Sequence, residues 1–223
     1  MRMIPKKSQE KRTVRDGIRR TAYLLLAFIL WIPLLSIGGS KAWAASGWSI
    51  IDGNGPNGLN VITTKPGELA TLAVWNGDVY VAWQEVGKIR VKKYNGTSWD
   101  RVEGIGENGL NVDQGKQGFR PTLAVFKGQL YIAWVEYSAS YVKQLRVKKY
   151  EGGITWSSAE GSSVGLNIDP MQNADAPALV EYKNHLYVVW TEASKIRVKR
   201  YGGEEGDEWI NADVGPNGLN KDP

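Results

Sequence analysis

The strongest constraint on this chain is an internal repeat. A segment that begins at Ala70 with Ala-Thr-Leu-Ala-Val-Trp recurs in similar form at Pro121 and at Pro177, and each copy ends in Trp-x-Glu. Each copy is followed by an Arg-Val-Lys segment that ends in Tyr, then by a Trp and by Gly-Leu-Asn. Corresponding residues lie 51 to 57 positions apart. Units of this length bury their apolar faces only against neighbouring units, so the repeat predicts a stacked array.

Each repeat contains four short runs of β-branched and aromatic residues. In the first repeat an Asn76-Gly77 pair separates two of them, which is typical of a β-hairpin. Residues 45–223 show no helical periodicity, and four antiparallel strands in about 50 residues are typical of a propeller blade. The sequence therefore predicts an all-β, β-propeller-like array of three four-stranded blades plus a partial repeat. The predicted blades are about 70–102, 121–159 and 177–212, with an extra N-terminal strand at 47–51.

Three blades fall short of the roughly four that a closed propeller needs. Three explanations are open. The chain is the front of a longer gene product, two or more copies complete the ring as a homo-oligomer, or the ends of the chain seal an incomplete propeller. The extra strand around Trp48 would compete with the Trp209 strand for one blade edge. We therefore expect truncation or oligomerisation rather than a three-bladed monomer.

Residues 1–44 have the three-part plan of a secretory signal peptide. A basic segment precedes an apolar run at 21–37, and Ala42-Trp43-Ala44 provides a small-x-small cleavage signal. The alternative is an uncleaved anchor, because a run of this length lies at the low end of what spans a bilayer. We expect cleavage after Ala44, a repeat domain at 45–223, and a secreted or cell-surface location.

Removing the leader changes the charge of the chain. Nine of the 28 Lys and Arg residues and two of the 23 Asp and Glu residues lie in 1–44, which leaves 19 bases against 21 acids. Nucleic acid is therefore not an expected partner. The chain has no cysteine, which excludes disulfides and thiolate sites. Asp52 and its neighbouring Asn residues offer oxygen ligands, but turn chemistry explains them without calcium, so neither a metal nor a cofactor is expected.

The motifs Gly-Leu-Asn, Leu-Tyr-x-x-Trp-x-Glu and Ile-Arg-Val-x-x-Tyr resemble those of secreted β-propeller proteins of Gram-positive bacteria. The resemblance covers residues 46–223 and implies tandem blades of about 50 residues on a cell-surface protein. It implies no catalytic residue, because no Ser-x-Asp-x-Gly-x-x-Trp box is present.

The hairpin at the end of the second strand supplies the candidate site. Arg90 lies seven positions after Trp83, a register that sets them opposite each other and pairs Glu85 with Lys88. Such pairs favour a structural role, and the functional interpretation is a ring of aromatic and charged groups suited to sugars. The second repeat has five extra residues in this hairpin, where Tyr and Ser suit a binding loop. The candidate ligand-binding residues are Trp83, Glu85, Arg90, Trp134, Glu136, Tyr137, Tyr141, Arg146, Trp190, Glu192 and Arg197.

These features predict an extracellular, non-catalytic binding module for carbohydrate or a cell-envelope polymer. One alternative is a scaffold or protein-interaction fragment of a longer propeller protein, and another is a sialidase- or glycosidase-like surface hydrolase. A catalytic group should interrupt the repeat in one unit, and none does, so we expect no enzyme. The expected partner is a glycan or cell-wall polymer, and the membrane is contacted only through an uncleaved leader.

Overall fold

A computed structural model of the chain describes residues 49–53, 55–113, 115–161, 164–204, 208–213 and 215–220. The predicted signal peptide, 1–44, lies outside these ranges. By its internal contacts the chain divides between Ser49 and Ile50, and the fold below is that of the second unit. Within the described ranges, no helix has the length and apolar character needed to cross a membrane.

The predicted all-β fold is confirmed, with three four-stranded antiparallel sheets in chain order. A one-turn 3₁₀ helix, Gly55–Asn57, precedes them, and the described residues contain no other helix. Blade 1 consists of β1 (Gly67–Trp75), β2 (Asp78–Glu85), β3 (Lys88–Tyr94) and β4 (Trp99–Arg101). Blade 2 consists of β5 (Gly118–Phe126), β6 (Gln129–Tyr137), β7 (Lys143–Gly152) and β8 (Thr155–Ser158). Blade 3 consists of β9 (Ala174–Tyr182), β10 (His185–Glu192), β11 (Lys195–Tyr201) and β12 (Ile210–Asn211).

The first strand of each blade begins three residues before the predicted start, because its pairing with the second strand continues past a β-bulge. In blade 1 the register shifts between Glu68 and Thr71, opposite Trp83. The bulged strands each hold one residue with positive φ, at 54° for Leu69, 55° for Arg120 and 49° for Ala176. The pairing resumes beyond the bulge, which lengthens each strand past the apolar run visible in the sequence.

The predicted extra strand at 47–51 is not formed by its described part, since residues 49–51 belong to no strand. Instead, the carbonyl of Ile51 accepts a hydrogen bond from the indole of Trp99 at 2.6 Å. The carbonyls of Val102 and Ala159 accept the same bond from the next blades. Ile51 therefore takes the position that the edge of a preceding blade would occupy. It forms no strand there because no third strand of such a blade lies beside it among the described residues.

The hydrophobic core lies between the blades. One cluster joins Tyr80, Ala82 and Val91 of blade 1 to Leu130, Ile132 and Trp134 of blade 2. A second joins the opposite face of blade 2 to Leu186, Val188 and Trp190 of blade 3. Both faces of a blade are apolar because each packs on a neighbour.

The outward faces of the first and last blades remain open. Leu72 and Val74 of blade 1 are more than half exposed, and so are Val180 and Tyr182 of blade 3. The sheets are thus not closed into a ring in this chain.

Candidate ligand-binding site

The recurrent Trp-x-Glu triplet closes on itself. The indole Nε1 donates a hydrogen bond to the carboxylate two residues later, at 2.8 Å for Trp83–Glu85 and 2.7 Å for Trp134–Glu136. The distance for the pair Trp190–Glu192 is 2.8 Å. Every second residue of a strand points to the same face, so a spacing of two residues brings the indole beside the carboxylate.

The same carboxylates hold the loop that enters each blade. Glu136 accepts hydrogen bonds from the backbone N–H of Val112 at 3.0 Å and of Asp113 at 2.6 Å. Glu85 and Glu192 accept the corresponding pairs from residues 61–62 and 168–169. Each Glu therefore joins a blade to the loop before it. We call this set of hydrogen bonds, made by the Glu, the Trp and the two backbone N–H groups, the latch.

The Asn of Gly-Leu-Asn binds the same loop to the blade that precedes it. Asn111 Oδ1 accepts from the N–H of Ile89 at 3.0 Å, and its Nδ2 donates to the carbonyls of Gly87 and Lys116, each at 2.9 Å. Asn167 and Asn220 repeat this contact on the second and third hairpins. The loop between two blades is thus bound on both sides.

The predicted hairpin register is confirmed, but its chemistry is different. Trp83 lies opposite Arg90, and Glu85 lies opposite Lys88. Because the latch already engages Glu85, the Lys88 ammonium donates instead to the carbonyl of Lys116 at 3.2 Å. Arg90 likewise donates to the carbonyl of Glu107 at 2.9 Å.

The structure therefore corrects most of the predicted ligand contacts. Nine of the eleven candidates are buried, because the blades pack over the Trp rings and the loops cover the charged groups. Their burial leaves little surface for a ligand, and the latch explains why the Trp and Glu residues recur. These nine are Trp83, Glu85, Arg90, Trp134, Glu136, Arg146, Trp190, Glu192 and Arg197.

The two remaining candidates lie together at the surface of blade 2. Tyr141 is 72% exposed, and its ring centroid is 6.4 Å from that of Tyr137. Tyr137 in turn packs edge-on against Phe119, with centroids 5.5 Å apart. We call Phe119, Tyr137 and Tyr141 the aromatic cluster.

Two lysines flank the aromatic cluster. The ammonium of Lys116 lies 3.6 Å from the Tyr141 centroid, and that of Lys143 lies 5.4 Å from the Phe119 centroid. The sequence analysis missed Phe119 and Lys116. A signal for Phe119 exists in the aligned repeats, because Glu68 and Asp175 occupy its position in the other blades.

A cavity of about 200 Å³ lies where blade 3 meets the preceding loop. Glu160, Lys199, Glu208 and Trp209 line it. Burial raises the pKa of the Glu160 carboxyl, although Arg146 opposes this shift from 3.1 Å. Across the part of the chain that the structure describes, no group of three or more His, Asp or Glu side chains is placed to hold a metal ion.

Comparisons with known proteins find only distant structural similarity. No protein-family model and no curated protein matches the sequence. An α-L-arabinanase of Penicillium chrysogenum, solved with arabinobiose, has a TM-score of 0.45 at 12% identity over 68% of this chain and 50% of its own. A GH32 β-fructofuranosidase of Bombyx mori has a TM-score of 0.48 at 14% identity over 66% of this chain and 35% of its own. A family 117 glycoside hydrolase of Zobellia galactanivorans has a TM-score of 0.43 at 14% identity over 66% of this chain and 56% of its own.

The chain thus spans between about a third and just over half the length of these proteins. At such identities, and with TM-scores below 0.5, the similarity assigns neither a family nor an activity to this chain. It nevertheless corrects one prediction. We expected no enzyme because the motifs repeat without interruption, yet the structures of similar fold are glycoside hydrolases. An uninterrupted repeat is therefore no ground for excluding catalysis.

Proposed function

We propose that this chain binds carbohydrate and that the aromatic cluster of blade 2 contacts the sugar. The exposed ring of Tyr141 carries this proposal. A sugar ring has apolar C–H faces and a polar edge, and an aromatic ring beside hydrogen-bond donors complements both. Lys116 and Lys143 supply such donors next to the rings.

The loop that carries Tyr141 is ordered by its own hydrogen bonds. The N–H of Tyr141 donates to the carbonyl of Ser138 at 3.0 Å, and the N–H of Ser138 donates to the carbonyl of Val142 at 2.9 Å. The N–H of Tyr137 donates to the carbonyl of Gln117 at 3.0 Å, which ties the loop to the entrance of the blade. A contact surface that is already ordered loses less conformational entropy on binding.

A glycan array followed by calorimetric titration of the best-bound glycan tests the sugar contact. We expect Tyr141→Ala to weaken binding at least about tenfold, or about 1.4 kcal/mol. Tyr182→Ala is the matched control, because Tyr182 is also an exposed tyrosine but lies on blade 3. Unchanged affinity in Tyr141→Ala, or an equal loss in both variants, would contradict the proposal.

A second candidate function is glycoside hydrolysis at the cavity beside Trp209. Two carboxyl groups, from Glu160 and Glu208, line this cavity, and the raised pKa of Glu160 suits a general acid. A panel of polysaccharides with a reducing-sugar readout tests it. We expect Glu208→Gln to abolish turnover while the melting temperature stays unchanged, because Glu208 is exposed. Turnover equal to that of the unmodified chain in this variant would exclude the assignment.

We also propose that the chain acts outside the cytoplasm after cleavage behind Ala44. The basic and apolar segments of residues 1–44 support this. N-terminal sequencing of the protein recovered from the medium of an expressing bacterium is the test. A product that begins at Ala45 is expected, and retention of residues 1–44 in the membrane fraction would instead indicate an anchor.

A further inference from the structure

The hairpin lysine of blade 2 has a different position from those of the other blades. Lys88 and Lys195 lie opposite the Glu of the latch, and each ammonium donates to a carbonyl of the following loop, at 3.2 and 2.9 Å. In blade 2 Gln144 has this position, and its Nε2 donates to the carbonyl of Pro170 at 2.7 Å. Lys143 is one residue earlier, and successive residues of a strand point to opposite faces. Its ammonium is therefore not used to hold the loop.

The ammonium of Lys143 lies beside aromatic rings instead. It is 5.4 Å from the centroid of Phe119 and 5.7 Å from that of Tyr137. At the other end of the aromatic cluster, the ammonium of Lys116 is 3.6 Å from the Tyr141 centroid. Both lysines are partly exposed, and neither ammonium is among the buried polar atoms that lack a partner. The ion pairs formed by the described residues include neither of them, so both charges lie beside the rings without a carboxylate.

Blade 2 also lacks an acid that both of its neighbours have. Glu68 and Asp175 occupy the position of Phe119 in blades 1 and 3, since each of the three pairs with the residue before the Glu of the latch. The carboxylate of Asp175 already pairs with Arg120 at 3.1 Å. A ring at this position extends the aromatic surface and adds no negative charge. Blade 2 therefore presents apolar rings and cations where its neighbours present an acid.

We propose that the aromatic cluster selects acidic glycans, whose sugars carry a carboxylate or a sulfate. This inference rests on the proposed carbohydrate contact and adds a charge requirement to it. The ammonium of Lys116 takes one face of the Tyr141 ring, and the sugar packs on the other face. The anionic group of the sugar accepts charge-assisted hydrogen bonds from Lys116 or Lys143. A lysine ammonium is a compact charge on a flexible chain, so it recognises charge rather than the planar shape of a carboxylate.

Calorimetric titration of the full chain with oligogalacturonate and with its fully methyl-esterified form tests the charge requirement, because esterification removes only the charge. We expect the acid to bind about tenfold more tightly at low ionic strength, since two exposed ammonium groups each contribute a few-fold. High salt should reduce this preference by screening. A sulfated galactan oligosaccharide and its desulfated form provide the same comparison for sulfate. A preference in either pair supports the proposal, and the pair that shows it identifies the anionic group.

Substitutions separate the charge from the rings. The double variant Lys116→Gln, Lys143→Gln should reduce the preference for the acid to less than about twofold and keep the affinity for the ester. Lys149→Gln is the matched control and keeps the preference, because Lys149 is also a partly exposed lysine of β7 but pairs with Glu151 at 3.0 Å. Tyr141→Ala should weaken acid and ester alike. The melting temperature of each variant verifies folding.

The results that would overturn the proposal differ from those that would overturn the sugar contact itself. Equal affinity within both pairs, or binding of neutral glycans alone, would exclude a charge requirement and leave the contact at Tyr141 in place. A preference that survives in the double variant, or that Lys149→Gln reduces equally, would remove Lys116 and Lys143 from the site. Absence of binding to any glycan, acidic or neutral, would refute the sugar contact and this inference together.

Discussion

The loop before blade 1 and the loop between blades 1 and 2 contain the same three residues in different surroundings. In the second loop Leu110 is 2% exposed, and Asn111 bonds to three backbone groups. In the first loop Leu59 is only partly buried, and Asn60 donates to the carbonyl of Lys65. Yet both loops donate two N–H groups to the Glu of the blade that follows.

This comparison separates the motif into two parts. Gly-Leu-Asn engages the blade before it, and the next two residues engage the blade after it. The second part forms in the first loop without a preceding blade among the described residues. The two contacts are therefore physically independent, and substitutions can test them one at a time.

The largest expected effect is that of Gly109→Ala. Gly109 and its counterpart Gly58 both have positive φ, at 60° and 53°, so a side chain at either costs about 1–2 kcal/mol of backbone strain. A Cβ at Gly109 would also overlap the carbonyl oxygen of Ile89, whereas at Gly58 it meets only Asp52 Oδ2, at 3.9 Å. We expect a loss of about 3–5 kcal/mol in unfolding free energy for Gly109→Ala. Gly58→Ala should lose about 1 kcal/mol, and equal losses in denaturant titrations would refute the distinction.

A smaller and equal effect is expected from Glu85→Gln and Glu136→Gln. Each carboxylate is fully buried and accepts three hydrogen bonds, one from an indole and two from backbone N–H groups. An amide replaces one acceptor with a donor, which leaves about 2 kcal/mol of unmet hydrogen bonding in either blade. Urea denaturation measures both. A clearly larger loss for Glu136→Gln would show that the latch depends on the preceding blade after all.

The smallest expected effect on stability comes from Asp113→Ile, which copies the blade 1 residue into blade 2. Asp113 is about a third exposed, so solvent screens its ion pair with Arg146, and we expect a loss of at most about 1 kcal/mol. Urea denaturation of this variant measures the loss. A loss above about 2 kcal/mol would show that Glu160 alone does not satisfy Arg146 and that the pair with Asp113 is needed.

The chemistry of the candidate site was much harder to predict than the fold. The turn at Asn76-Gly77 and the pairing of Trp83 with Arg90 follow from spacing alone, and both are present in the structure. The sequence did not reveal that Glu85 binds the N–H groups of Val61 and Ile62, which lie 24 and 23 residues earlier.

The sequence by itself determined the number of repeats, the strands within them and the hairpin registers. Those features depend on the period-two alternation of side chains and on turns formed by neighbouring residues. Only the tertiary structure decided that the repeated Trp, Glu and Arg side chains are buried while Tyr141 is exposed. Burial depends on which face meets the next blade, and the latch depends on a loop that arrives from the preceding repeat. Contacts between segments so far apart in sequence exist only after the blades have stacked.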